Sequence, residues 1–281
     1  MEIIASTADL CIRLRAAASV AFVPTMGNLH EGHLDLVRIA REQGTCVVVS
    51  IFVNPSQFGP SEDFDKYPRT LEADCEKLQG LADVVFAPSV NEMYPTQQFV
   101  FVEMPPVASE LEGAARPGHF RGMATVVLKL LNIVQPQVAV LGKKDYQQLH
   151  IVRQMVTQLN LPIEIVGGET VRAPDGLALS SRNQYLDPAQ RTESAFMYQT
   201  LLATRRALEC GELNFKKLEQ LATEALMARG WTVDYVAVRT KAGLINPYNA
   251  NENNAGDLVV LAAAWLGKTR LIDNLEVCLN R

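Results

Sequence analysis

Up to about residue 170 the chain alternates between short apolar runs and segments whose apolar residues recur at helical spacing. Ser19–Val23, Thr45–Val53, Val84–Ala87, Val138–Leu141 and Ile163–Val166 are rich in β-branched residues and apolar at successive positions, which predicts strands buried on both faces. Leu34/Val37/Ala40, Leu71/Cys75/Leu78 and Leu149/Val152/Val156/Leu159 predict the intervening helices, and His119 opens a further helical pattern ending near Val134. Such repetition predicts an α/β fold, a doubly wound (Rossmann-like) parallel sheet that binds its ligands beyond the carboxyl ends of the strands. After the turn signal Pro174-Asp175-Gly176 the pattern changes to helices over roughly Pro188–Cys210 and Phe215–Arg229, then strands near Val233–Val238, Leu258–Trp265 and Arg270–Leu275. We therefore expect a Rossmann-like domain over residues 1–175 and a smaller C-terminal α+β domain over 176–281. The Asn-rich stretch Asn246–Asn254 reads as a solvated hairpin loop.

Composition narrows the function. The 281 residues carry 26 Lys+Arg against 31 Asp+Glu, a formal charge of −5, and no basic stripe, so a nucleic-acid partner is not expected. With 48% hydrophobic and 20% charged residues the chain can close a large core, which excludes disorder. Five scattered cysteines form neither a C-x-x-C pair nor a disulfide framework and point to a reducing compartment. The acidic N-terminus lacks signal-peptide character, and the longest apolar run, Leu258–Leu266, has nine residues, too few to cross a bilayer. The expectation is a soluble cytoplasmic protein without a membrane partner.

Candidate chemistry begins right after the first predicted strand of the sheet, at Pro24-Thr25-Met26-Gly27-Asn28-Leu29-His30-Glu31-Gly32-His33. Two histidines three apart at a helix start share one side of it, beside amide N–H groups and a partial positive charge that favour phosphate. A metal-binding pair is a weaker reading, since H-E-G-H lacks the i, i+4 zinc spacing and no third ligand is evident; two structural histidines are another. Lys143 and Lys144 open a predicted helix where their charge opposes the helix dipole, which an anionic ligand explains better than solvation. Gln57 and Gln148 carry side-chain amides that, taken alone, read as ordinary solvated surface groups. The basic groups of His119-Phe120-Arg121 either lie over the site or only cap their helix.

The strand–H-x-G-H–helix arrangement resembles the nucleotidyltransferase superfamily. Together with Asn54-Pro55-Ser56-Gln57-Phe58, Arg116-Pro117-Gly118-His119-Phe120-Arg121-Gly122, Gly142-Lys143-Lys144-Asp145-Tyr146-Gln147-Gln148 and Leu179-Ser180-Ser181-Arg182-Asn183, the string Pro24–His33 resembles the pantothenate synthetase (pantoate–β-alanine ligase) family over nearly the whole chain. That resemblance implies ATP-dependent condensation of (R)-pantoate with β-alanine through a pantoyl-adenylate, releasing AMP and diphosphate, with Mg²⁺ as cofactor at ligands not assigned. It implies that Met26, Gly27, Asn28, Leu29, His30, Glu31, Gly32 and His33, then Gly142, Lys143, Lys144 and Asp145, and then Val171, Leu179, Ser180, Ser181 and Arg182 bind ATP. His33 is the implied proton donor, with His30, Lys144 and Arg182 the other catalytic groups; Gln57 would hold pantoate and β-alanine, and Gln148 pantoate, with Asn54 a further contact and Met26 and Phe58 packing on the pantoate methyl groups. Lys143 departs from the glutamate common in the family, which leaves that side chain without an assigned role. A homodimer through the N-terminal domain is a further implication. Ser180-Ser181-Arg182 lies between the two expected domains, where a loop can both reach the phosphates and move with the smaller C-terminal domain as a lid. Two alternatives compete: an adenylyltransferase that makes a stable dinucleotide, and a nucleotide-binding regulatory module without catalysis.

Overall fold

The computed structural model describes residues 1–60, 64–249 and 257–279. A six-stranded sheet is built from β1 (Glu2–Ile4), β2 (Val20–Thr25), β3 (Cys46–Ile51), β4 (Val84–Phe86), β5 (Val138–Gly142) and β6 (Glu164–Gly168). All its pairings are parallel and the order is β1-β4-β3-β2-β5-β6. The uninterrupted apolar runs follow from burial of alternate residues on opposite faces. Phe22, Val48, Val84 and Ala139 pack into one cluster with helix α6 (His119–Val134) and α7 (Tyr146–Gln158). Ala21, Val23, Val47, Val49 and Val140 face α2 (Glu31–Gln43) and α3 (Leu71–Leu78) on the other side.

From β2 the chain winds outward through β3 and β4, then returns to place β5 and β6 on the opposite flank. The winding therefore reverses between β2 and β5, where the loops beyond the strand ends diverge and leave a crevice. The edge strand β1 was not anticipated from sequence, because three residues give no periodicity to read. Short helices α1 (Thr7–Leu14), α4 (Val90–Met93) and α5 (Glu112–Ala115) complete this part of the molecule.

A second, antiparallel sheet comprises β7 (Thr232–Thr240), β8 (Asp257–Leu266) and β9 (Thr269–Cys278). The apolar run of β8 is again double-sided. Leu258, Val260, Ala262 and Ala264 face α9 (Ala195–Glu209) and α10 (Phe215–Met227), whereas Val259 and Leu261 pack with Leu111 and Tyr146 of the first part. The single helix expected over Pro188–Cys210 is two, α8 (Pro188–Glu193) and α9, broken at Ser194. Of the expected hairpin loop, residues 250–254 lie outside the described residues. Among the described residues no helix is long and apolar enough to cross a membrane.

Candidate active site

At the end of β2 the chain must turn sharply to enter α2. Gly27 takes φ +84°, and a Cβ there would sit 3.0 Å from Ile51 Cγ2 and 3.1 Å from Asp74 Oδ2, so only glycine fits. Asn28 follows at φ 50°, and the N–H groups of Asn28 and Leu29 donate to the two carboxylate oxygens of Asp74 at 2.8 and 2.7 Å. Sequence reading missed Asp74 entirely, since an acidic residue in the first turn of α3 looks like an ordinary dipole partner.

His30 is the N-cap of α2, and its Nδ1 accepts the Gly32 N–H at 3.2 Å; His33 Nδ1 accepts the His30 N–H at 3.3 Å. The two rings lie with centroids 4.1 Å apart. Each is thus a capping residue on its Nδ1 side, as the structural reading of the pair required. A first-turn amide expected to meet phosphate, that of Gly32, is occupied by His30. Burial first, then the Lys144 and Lys77 charges, lower the His30 pKa to about 4, with Asp145 opposing. Burial, His30, Lys144 and Lys77 lower His33 to about 3. Both rings are neutral at pH 7, and because each Nδ1 accepts a hydrogen bond, each Nε2 carries the proton and is a donor.

Beyond β5, Lys143–Asp145 form a short 3₁₀ turn that leads into α7. Asn274 of β9 holds this turn by donating to the carbonyls of Lys143 and Lys144, both at 2.9 Å. Lys143 points elsewhere: its ammonium pairs with Glu169 and lies 3.3 Å from Glu276. Burial pulls its pKa down, but these carboxylates hold it above the ordinary value. The anion inferred to offset the paired lysines is therefore, for Lys143, part of the protein.

A cavity of about 200 Å³ occupies the crevice between the ends of β2 and β5. Met26, His30, Gly32, His33, Gly142, Lys144, Asp145 and Gln148 line it, as do Gln57, Val171, Leu179, Ser180, Ser181 and Arg182. Its apolar wall comes from Phe52, Met123, Val126, Val127, Leu130 and Leu141, mostly residues of α6. Gln57 is aimed by neighbours: Asn54 Nδ2 donates to its Oε1 at 3.0 Å, leaving Nε2 directed at Met26 Sδ, 3.2 Å away. His119 Nδ1 lies 2.9 Å from the Gln57 carbonyl, and a Cβ on Gly122 would come within 2.0 Å of the Ser56 carbonyl, so α6 docks tightly under this turn.

Residues 2–276 match the family model described as pantoate–β-alanine ligase. The chain belongs to the pantoate–β-alanine ligase family. It is similar to the pantothenate synthetase of Nitrosomonas europaea, with 59% identity over 99% of this chain and 100% of that protein. Among solved structures, a pantothenate synthetase of Thermus thermophilus superposes with TM-score 0.91 at 44% identity, covering 99% of this chain and 100% of that one. A pantoate–β-alanine ligase of Francisella tularensis, complexed with βγ-ATP and β-alanine, gives TM-score 0.80 at 34% identity over 98% and 97% of the two chains. The activity is therefore that of a pantoate–β-alanine ligase.

Several residues that family resemblance placed at ATP stand outside the cavity wall. Gly27 is buried in the turn, Leu29 belongs to the core under the sheet, Asn28 offers its carbonyl to the Ser181 hydroxyl at 3.1 Å, and Glu31 pairs with Arg38 at 2.6 Å. Asn54, expected as a substrate contact, is fully enclosed and acts on Gln57. It also accepts from the Tyr94 hydroxyl at 2.7 Å. Phe58 stacks on Phe64 and Tyr67 rather than facing the cavity, while Tyr67 itself lines it. The His119-Phe120-Arg121 alternatives divide: His119 braces the Gln57 turn, and the Arg121 guanidinium lies 3.8 Å above the Phe101 ring, away from the site.

A larger cavity, about 760 Å³, adjoins the first and shares Lys144, Asp145, Gln148, Ser180 and Arg182 with it. It lies between the β7–β9 sheet and the starts of α6 and α7, with α5 at its side. Three partly buried ties join the β7–β9 sheet to the first part of the molecule around it: Arg172 bidentate to Asp273 at 2.7 and 2.8 Å, Arg270 bidentate to Glu112 at 2.7 and 2.8 Å, and the Tyr146 hydroxyl to Glu276 at 2.8 Å. Val171 and Leu179 face each other across a tight hairpin, the Leu179 N–H donating to the Val171 carbonyl at 3.0 Å, which delivers Ser180–Arg182 to the shared wall.

Proposed function

We propose that the enzyme joins (R)-pantoate to β-alanine in two steps, with pantothenate, AMP and diphosphate as products. The observation that carries this reading is the convergence of two neutral imidazoles, Lys144 and Arg182 on the same 200 Å³ cavity as Gln57, Gln148 and an apolar wall. The first set suits a polyphosphate; the second suits a small acid with hydroxyls and a gem-dimethyl group. In the first step the pantoate carboxylate attacks the α-phosphorus and diphosphate leaves. In the second, the β-alanine amine attacks the acyl carbon of the pantoyl-adenylate and AMP leaves, so no covalent enzyme intermediate is needed. Catalysis then rests on alignment and on offsetting phosphate charge in a dry site.

His30 and His33 donate through Nε2–H to the phosphates, which is the form the proton-donor role of His33 takes at neutral pH. Lys144 and Arg182 supply full positive charge. Gln57 and Gln148 bind pantoate, with Gln57 also reaching β-alanine, and Val171 and Leu179 border the nucleotide. Mg²⁺ ordinarily binds through one or two carboxylates plus phosphate oxygens and water, and Asp145 and Glu169 on the cavity wall fit that pattern. Among the described residues no group of three or more His, Cys, Asp or Glu could hold a metal, so the ion would depend on the nucleotide and neutralise its phosphates.

Residues 1–175 act as the catalytic domain and residues 176–281 as its cover. Because partly buried ion pairs tie the β7–β9 sheet to Glu112 of α5 and to Arg172, closure falls to the segment Leu179–Tyr185 rather than to the whole C-terminal part. A homodimer in the cytoplasm completes the proposal; all five cysteines are free, as a reducing compartment requires. The test is diphosphate exchange. Labelled diphosphate should enter ATP with pantoate and without β-alanine, and exchange that requires β-alanine would refute the two-step scheme. AMP among the products excludes the dinucleotide-forming alternative.

A further inference from the structure

Asp74 does no chemistry in this scheme, yet its carboxylate is 0% exposed beside the reaction loop. A buried carboxylate is tolerated only when its lone pairs are satisfied. Here the Asn28 and Leu29 N–H groups and the Thr70 hydroxyl, at 3.0 Å, all donate to it, and Lys77 lies 3.9 Å away. Consecutive amides converging from a left-handed turn form an anion-binding concavity, which this chain fills with its own side chain.

Two successive peptide groups are held from both ends. The Asn28–Leu29 peptide donates to Asp74 through its N–H, and its carbonyl accepts from Ser181 at 3.1 Å. The Leu29–His30 peptide accepts from Lys77 Nζ at 2.7 Å, and its N–H donates to His33 Nδ1 at 3.3 Å. Turning the Leu29–His30 plane, which the Asn28–Leu29 peptide anchors from the other side of Leu29, would withdraw the His30 N–H from His33 and free that ring to adopt the other tautomer.

We propose that Asp74 and Lys77 are a positioning pair which, through these two peptides, fixes the orientation and tautomer of His33. The inference rests on the reading that the histidine rings meet the phosphates, but its test does not. In the wild type, ¹⁵N spectra of the histidine rings should show a single Nε2–H tautomer for both. Lys77→Met keeps the aliphatic stem at a half-exposed position and removes the tether; Asp74→Asn keeps the volume but cannot accept both amides. Each variant should give a tautomer mixture at His33 and slow single-turnover adenylation tenfold or more, while KM for ATP and pantoate stays within twofold. Lys77→Arg, which retains a donor, should restore both readouts in part. A merely structural role would leave the tautomers of the folded protein unchanged. If Asp74→Asn does not fold, Lys77→Met decides alone. A fixed tautomer or an adenylation rate within twofold of wild type in the folded variants overturns the inference. If His33→Ala run in parallel is also undiminished, the phosphate reading of the histidines fails instead.

Discussion

The charge state of the histidine pair is best tested by pH. A ring titrating at about 3, as His33 does, carries a second proton in about one molecule in 10⁴ at pH 7. Forming the imidazolium there would cost about 5 kcal/mol, a penalty the phosphates would have to offset in full before any catalytic gain. The groups facing the pair, Lys144 and Lys77 against Asp145, work in the same direction on balance. The neutral Nε2–H donor is thus the working form. Diphosphate exchange, measured with pantoate and Mg·ATP from pH 8 down to 4, should show no loss on the alkaline side attributable to either ring. Decline should set in only as the pH falls toward the folded pKa of about 4 for His30. An activity that disappears as pH rises through about 6.5, with that limb absent in His33→Ala, would refute the argument. Linkage gives a second readout on the ligand-free protein. Both pKa values are depressed by folding, so the unfolded chain binds the extra protons. The contribution is complete above about pH 6.5 and is lost as pH falls through about 4 and 3, and urea titrations of His33→Ala should show a shallower slope over that window.

Three further outcomes follow from the geometry. Gln57→Leu should weaken pantoate by about 1–3 kcal/mol and leave ATP nearly unaffected in calorimetry, because substrate hydroxyls and Asn54 Nδ2 lose their partner; equal losses for both ligands would mean that the whole pocket had been disturbed. Arg182→Ala should slow adenylation and raise AMP formed per pantothenate at limiting β-alanine, as intermediate escapes through the Leu179–Tyr185 segment to water; a ratio that stays at unity would remove the closure role. Arg172→Met should cost about 3–5 kcal/mol in urea unfolding by stranding the buried Asp273, and Arg172→Met with Asp273→Leu should recover most of it; additive losses would show that the pair is not coupled.

The sequence by itself determined the elements and their nature. Val20–Val23 and Cys46–Val49 had to be buried on both faces because no charged or strongly polar residue interrupts them, and burial on both faces in a strand–helix repeat means a covered parallel sheet. His30, His33 and Lys144 were legible because each lies in a loop or first helical turn following a strand, where such a sheet exposes its backbone ends, whereas Gln57, Gln148 and Arg182 stood out only through the family resemblance. Tertiary structure alone decided which of those residues face the cavity and which serve their neighbours. Lys143 and Lys144 are adjacent in the chain, but the carboxylates of Glu169 and Glu276, far away in sequence, draw one aside and leave the other in the cavity. Asn54 and Gln57 look equally suited to bind a hydroxyl, and the packing of Gly122 against Ser56 buries the first while presenting the second. Asp74 carried no local signal, because its partners are backbone amides 45 and 46 residues away and a local pattern records side chains, not the carbonyls and N–H groups that folding brings to them. The proton on each histidine was likewise beyond the sequence: burial and nearby charge set it, and both are properties of the assembled fold.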